Sequence, residues 1–289
     1  MELIKEIKRT FILGEEWLYY KIYCGSYSAD NILIESILPI VVELQQKKLI
    51  DQWFFIRYND PKNHLRLRFN LPNVDNIQEI LKITHPYFCR LIKKDVVQDI
   101  VTATYKREIE RYGKATIEPV EQLFCYHSEK TLQLIDNTTG AEDEIARIFA
   151  SLQMIDDLLE SFNIPLNHRI DFVQAMELAY KTEHHIQKAN NKKLGGLYRI
   201  YQNDVVLYLH KKQEPGYLEG LMELMKVTEK EAKVIKNIIS KTSISDLDAL
   251  ISSLIHMNIN RVFRTKQRQY EMLCYDFMNR YYKTIVARK

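Results

Sequence analysis

The period of hydrophobic and polar positions is sharpest between Gln52 and Phe69, where it predicts two strands joined by a polar turn. Trp53 to Tyr58 are aromatic or β-branched residues around Arg57, and Asn59-Asp60-Pro61-Lys62-Asn63 is turn chemistry. The second strand then alternates strictly. Leu65, Leu67 and Phe69 fall on one face, and His64, Arg66 and Arg68 fall on the other.

The same reading carries through the first third of the chain. Trp17 to Cys24 form a strand introduced by the turn at Gly14-Glu15-Glu16, and Ser28-Ala29-Asp30 opens a helix. Its apolar positions (Ile32, Leu33, Ile37, Ile40, Val41, Leu44) recur at helical spacing. After the hairpin, Asn76 to Ile92 make a second amphipathic helix with a kink expected near Pro86, and Asp99 to Tyr105 a fourth strand. The order β-α-β-β-α-β predicts an α+β protein, with a ferredoxin-like split βαβ antiparallel sheet over residues 1–115. Residues 116–289 read as a helical region completing the same domain. Breaks are expected near Asn137-Thr138-Thr139-Gly140, Asn163-Ile164-Pro165, Gly195-Gly196 and Glu214-Pro215-Gly216. Asp246 to Ala287 reads as two long helices, and Lys188 to Lys193 as a solvated loop.

Composition narrows the function classes. With 41 Lys+Arg against 38 Asp+Glu the net charge is only +3, too little to suggest nucleic acid as a direct partner. No apolar run approaches 18 residues and the opening Met-Glu-Leu-Ile-Lys-Glu does not read as a signal peptide, so a cytoplasmic protein is expected. The four cysteines (Cys24, Cys89, Cys125, Cys274) form no Cys-x-x-Cys pair, which leaves neither a disulfide framework nor a thiolate metal site supported. No metal or organic cofactor is expected. The 18 tyrosines are unusual, and many are expected to line a groove or to pack with the polar end wet.

Two guanidiniums at i and i+2 of one strand stand about 6–7 Å apart and repel unless an anion lies between them. A solvated strand face is the bland alternative. The aromatic partner strand and Arg57 tilt the reading toward an anion site of fixed geometry, where the planar fork of Arg grips a carboxylate with two bonds. Arg111, in Arg111-Tyr112-Gly113, fits such a site and fits equally a charged strand end stopped by glycine. His256 lies on a polar stripe with Ser252 and Asn260, on an otherwise apolar helix. A lone helical histidine is more often structural than catalytic. There is no Gly-rich phosphate loop and no Gly-x-Ser-x-Gly.

Taken together, Trp17-Leu-Tyr-Tyr-Lys-Ile-Tyr-Cys24, Trp53-Phe-Phe-Ile-Arg-Tyr-Asn-Asp-Pro61 with His64-Leu-Arg-Leu-Arg-Phe69, Tyr105 to Gly113, and Ser253-Leu-Ile-His-Met-Asn-Ile-Asn-Arg261 occur in an order that resembles the C-terminal elimination domain of class I lantibiotic dehydratases. That domain also occurs alone in thiopeptide-type bacteriocin pathways. The resemblance runs from about Trp17 to Tyr282. It departs from the family at Tyr126-His127-Ser128, where relatives more often have Asp-Ser, and at Lys114, where a second glycine is common.

The resemblance implies a lyase that removes glutamate from glutamylated Ser or Thr of a ribosomally made precursor peptide, leaving dehydroalanine or dehydrobutyrine. Arg66, Arg68, Arg111 and His256 match the positions implicated in elimination. Arg57, His64 and Tyr112 are the expected substrate-binding residues. At this length the chain looks like the split form, with esterification done by a separate tRNA-dependent glutamylating protein. A cyclase and a homodimeric partner are compatible with the same setting. Two alternatives stand beside this: a thiopeptide pyridine synthase performing a formal [4+2] cycloaddition on the same scaffold, and a non-catalytic precursor-binding partner.

Overall fold

The computed structural model describes residues 7–138 and 143–287; the first six residues, the last two and the second half of the break expected at 137–140 lie outside them. The described chain forms two compact units, one comprising residues up to Asp136 with Ser240–Ser243, the other Asn137–Ile239 with the residues from Ile244 on.

In the first unit, β2 (Trp17–Cys24), β3 (Gln52–Tyr58), β4 (His64–Asn70) and β5 (Val97–Thr102) form a four-stranded antiparallel sheet in the order β3-β4-β2-β5. Helices α1 (Ser28–Ile32) and α2 (Leu38–Gln46), joined by a π-helical turn at Leu33–Ile37, link β2 to β3, and α3 (Ile77–Lys93) links β4 to β5. This is the ferredoxin-like order the patterning predicts. Strand alternation sends Leu18, Tyr20, Ile22, Trp53, Phe55, Leu65, Leu67 and Phe69 to one face, where they pack against Ile37, Ile40, Leu44, Ile80 and Leu91 of the helices. Burial of this apolar layer is the main stabilising term of the unit. Pro86 lies inside α3 without ending it.

The expected fourth strand differs from the one observed. It stops at Thr102, and Tyr105–Lys106 (β6) pairs instead with Thr10–Phe11 (β1) as a separate two-stranded sheet. Ala103 still bonds Tyr19 through its N–H, but beyond it the chain leaves the main sheet, carrying Tyr105 over the face opposite α1, α2 and α3. A short helix α4 (Ile109–Tyr112) and a long α5 (Ile117–Asn137) follow. Ser128 of α5 accepts a hydrogen bond from the Phe55 N–H on β3, occupying a donor of that edge strand.

The second unit is helical: α6 (Asp143–Ser161), α7 (Leu166–Glu183), α8 (Lys188–Val205), α9 (Leu221–Met225), α10 (Glu229–Lys241), α11 (Ile244–Val262) and α12 (Gln267–Val286). Its core includes Phe149, Leu152, Leu159, Ile251, Leu254, Phe277 and Met278. Two expectations fail here. Lys188 to Lys193 begin α8 rather than a loop, and Gly195-Gly196 lie inside that helix. A Cβ at Gly195 would meet the Arg280 guanidinium of α12 at 3.3 Å, so this glycine serves close helix packing instead of a turn.

Candidate functional site

The sheet face opposite the helices holds the arginines, and the strand register fixes its layout. Arg68 has Tyr19 directly across on β2 and Phe54 directly across on β3; Arg66 has Lys21 and Ile56; His64 has Tyr23 and Tyr58. Residues directly opposite share a face, so three cationic side chains and a histidine lie in three successive aromatic or aliphatic rows. Lys21 and Arg66 are like charges placed opposite one another, an arrangement that destabilises a sheet without an anion nearby.

Arg68 is the buried end of this face. It is 6% exposed, with its Cζ 4.4 Å from the Tyr19 ring centre, 4.8 Å from Tyr105 and 5.0 Å from Phe54. Its Nε and Nη1 are buried and have no hydrogen-bond partner among the described residues. Burial pushes the guanidinium below its ordinary pKa, and the nearby Arg66 charge adds to that. An arginine in this state is a hole for an anion: the rings hold its plane, and unused N–H groups wait in a low-dielectric site.

Arg66 is half-buried and lies flat on Tyr58, its Cζ 3.4 Å from the ring centre. Its Nε donates to His64 Nε2 at 3.1 Å, while His64 Nδ1 donates to the Lys62 carbonyl at 2.8 Å. Together these bonds select the neutral Nδ1–H form of His64. Burial lowers the His64 pKa, with Arg66, Lys21 and Arg68 acting in the same direction.

Tyr105, the wall of the Arg68 box, is itself anchored. Its hydroxyl donates to Glu121 Oε1 at 2.6 Å, and Arg107 grips the same carboxylate through Nε (2.8 Å) and Nη2 (2.6 Å). The Tyr105 hydroxyl pKa is pushed well up, chiefly by burial and then by the Glu121 charge.

The remaining expected residues are carried by other positions and elements. Arg57 shares a face with Leu65, on the helix side of the sheet, and its Nη2 meets Asp30 of α1 at 2.6 Å. The structure does not bring it to Arg66 and Arg68. Arg111 is about half exposed on α4 and pairs with Glu108 at 3.2 Å; Glu108 also acts electrostatically on Arg68. Tyr112 is buried with its ring edge-on to Phe124. In the second unit, His256 of α11 places Nδ1 2.8 Å from Glu271 Oε2 of α12. Sequence reasoning missed Tyr19, Lys21, Phe54, Tyr105 and Glu271. For Tyr19 and Lys21 a signal existed, since residues 19, 21 and 23 alternate on one strand face; for Glu271 there was none.

A family model described as "Lantibiotic biosynthesis dehydratase C-term" matches residues 17–282. The chain is 28% identical over 261 residues to the subtilin biosynthesis protein SpaB of Bacillus subtilis, covering 87% of this chain and 24% of that protein. It is 27% identical over 287 residues to the nisin biosynthesis protein NisB of Lactococcus lactis subsp. lactis, covering 93% and 26%. It therefore spans about a quarter of the length of these relatives. Among solved structures it is similar to the tRNA-dependent lantibiotic dehydratase MibB from Microbispora sp. 107891, with a TM-score of 0.68 at 19% identity, over 96% of this chain and 29% of that one. It is also similar to the pyridine synthase TbtD from thiomuracin biosynthesis, with a TM-score of 0.61 at 9% identity, over 95% and 100%. At these identities the structural likenesses speak for the fold alone. The family match covers nearly the whole chain, and the chain belongs to the lantibiotic dehydratase C-terminal family.

Proposed function

We propose that this chain carries out glutamate elimination in lantibiotic- or thiopeptide-type peptide maturation, converting glutamylated Ser or Thr of a precursor peptide to dehydroalanine or dehydrobutyrine. The observation that carries this reading is the Arg68 guanidinium, buried among three rings with Nε and Nη1 unpartnered among the described residues. In the reaction a base removes the α-proton, the C–H pair becomes the Cα=Cβ bond, and the Cβ–O bond breaks with its electrons leaving on the glutamate carboxylate. Negative charge therefore grows on the enolate and on the departing carboxylate, and fixed guanidiniums act most strongly where charge develops.

Arg68 and Arg66 bind glutamyl carboxylate oxygens in this reading, with Lys21 adding positive charge beside Arg66. Arg111 is assigned the ester or enolate oxygen, and His256 the proton transfer. His64 orients Arg66 rather than touching substrate, and Tyr112 acts through the packing of α4 on Phe124. Arg57 holds α1 against the sheet and is left out of the binding set. The precursor peptide is the substrate, and a tRNA-dependent glutamylating protein is its supplier.

Mass spectrometry of a Ser-glutamylated precursor peptide incubated with the protein tests this. Loss of glutamate with dehydroalanine left behind is expected from wild type. Arg68→Lys should leave the ester intact while the protein stays folded, because a point charge cannot reproduce the two-bond fork. An untouched glutamyl peptide with wild type refutes elimination; turnover of a bis-dehydroalanine substrate would then assign the cycloaddition instead.

A further inference from the structure

Helices α11 and α12 form an antiparallel pair closed by a short turn, in which the Phe263 and Tyr270 rings stack at 3.9 Å with planes 3° apart. This closure sets His256, on the half-buried Ser252–His256–Asn260 stripe of α11, opposite Glu271 in the first turns of α12. Glu271 is fully buried. The imidazole beside it remains 29% exposed.

The surroundings of Glu271 show what the carboxylate is held for. Tyr180 of α7 and Tyr275 of α12 both have hydroxyl pKa values driven up, first by burial and then by the Glu271 charge, and burial followed by the same charge raises the Cys274 thiol. The nearby cation, Arg268, is engaged by Glu183 through Nε at 3.0 Å and through Nη2, and donates to the Tyr180 hydroxyl at 3.0 Å. Among the described residues Glu271 makes its 2.8 Å hydrogen bond to His256, and the Tyr180 hydroxyl interacts with the same carboxylate. Burying a carboxylate is costly unless the charge has a partner or a task. A helix pair needing only cohesion would be served better by an apolar residue at 271.

We propose that Glu271 is the positioning residue of His256, accepting Nδ1–H so that Nε2 is the atom that takes or gives the proton during elimination. A carboxylate behind one ring nitrogen fixes tautomer and orientation and stabilises the imidazolium that forms in turnover. This rests on His256 acting in the reaction, as argued above. Glu271 touches no substrate; it acts through the ring.

Two readouts test it on the full-length chain. The first is ring-nitrogen NMR of the histidine-labelled protein, with the His256 signals identified by their loss in His256→Ala. In its neutral form the wild-type ring should show Nδ1 protonated and Nε2 carrying the lone pair, and Glu271→Gln should shift that pattern. A wild-type ring protonated on Nε2 instead overturns the proposal without any variant at 271 having to fold. The second is single-turnover elimination of the Ser-glutamylated peptide. Glu271→Gln should slow the chemical step on the order of 10²–10⁴-fold with the substrate half-saturation unchanged, by analogy with carboxylate-to-amide changes behind other catalytic histidines, and Glu271→Asp should recover part of the rate. If His256→Ala is inactive but Glu271→Gln runs at the wild-type rate with an unchanged ring spectrum, the positioning role is wrong and the elimination reading survives. If His256→Ala turns over like wild type, the proton role of His256 itself is wrong, and the role of Glu271 falls with it.

Discussion

Replacing Arg68 by methionine should make this protein more stable and abolish its activity. Two of its buried guanidinium nitrogens lack acceptors among the described residues. Each unsatisfied buried donor costs about 1–3 kcal/mol, and more when charged. Against this stand three ring contacts at 4.4, 4.8 and 5.0 Å, individually about 0.5–2 kcal/mol and not additive. Methionine fills a similar volume and keeps sulfur–ring contacts of about 0.3–1.5 kcal/mol each, so much of the packing survives the exchange. Replacing buried charge by well-packed apolar groups commonly stabilises by about 1–4 kcal/mol even when the charge was paired. At roughly 2–4 °C per kcal/mol, the melting temperature of Arg68→Met should rise on the order of 5 °C. The assay is thermal unfolding followed by circular dichroism, alongside mass spectrometry of the glutamyl peptide. Glutarate at about 100 times its Kd should stabilise wild type by about 2.7 kcal/mol and leave Arg68→Met where it was. A variant that melts lower, as a core truncation would, refutes the reasoning, because Arg68 would then be part of the structural framework rather than an anion receptor.

Other residues on the two sheet faces give distinct outcomes. Arg57→Met alone removes the countercharge that lies 2.6 Å from the buried Asp30 and should cost about 3–5 kcal/mol in denaturant unfolding, whereas Arg57→Met with Asp30→Leu should recover most of it without loss of elimination. The folded-state pKa of His64 is depressed, so its contribution to stability is full above the unfolded value of about 6.5 and is lost as pH falls through the folded value. Melting curves from pH 8 downward should show this loss in wild type and lack it in His64→Gln. Lys21→Met removes a like charge opposite Arg66; stability should stay level or rise slightly, while the half-saturation concentration for glutamyl peptide increases.

The sheet was legible because its signals are local. Period-two alternation places Leu65, Leu67 and Phe69 in the core and His64, Arg66 and Arg68 outside it, and the β-α-β-β-α-β order leaves few topologies to choose among. Tyr105 was misplaced because an apolar run does not reveal where a strand changes partner; its exit to pair with Phe11 is set by tertiary packing. Arg57 sits with Trp53 and Phe55 by parity along β3, on the helix side of the sheet, and its partner Asp30 lies 27 residues away in sequence, beyond the reach of a local pattern. Glu271 was beyond reach, since nothing between residues 256 and 271 in sequence announces a helix pair closed at that register.

The first unit contains its own control for what a buried arginine means. Arg57 is 5% exposed and meets Asp30; Arg107 is 6% exposed and is held bidentately by Glu121. Both bury charge and both supply the countercharge, as structural arginines must. Arg68 is buried to the same extent, in the same unit, and ends among three aromatic rings instead. Glu121 is one residue removed, reaching Tyr105 rather than Arg68. A sequence that twice pairs its buried guanidiniums has the means to pair a third. Leaving Arg68 open sacrifices stability at one position, which is tolerable if the missing partner arrives with the substrate, where its carboxylate meets a receptor that needs no reorganisation.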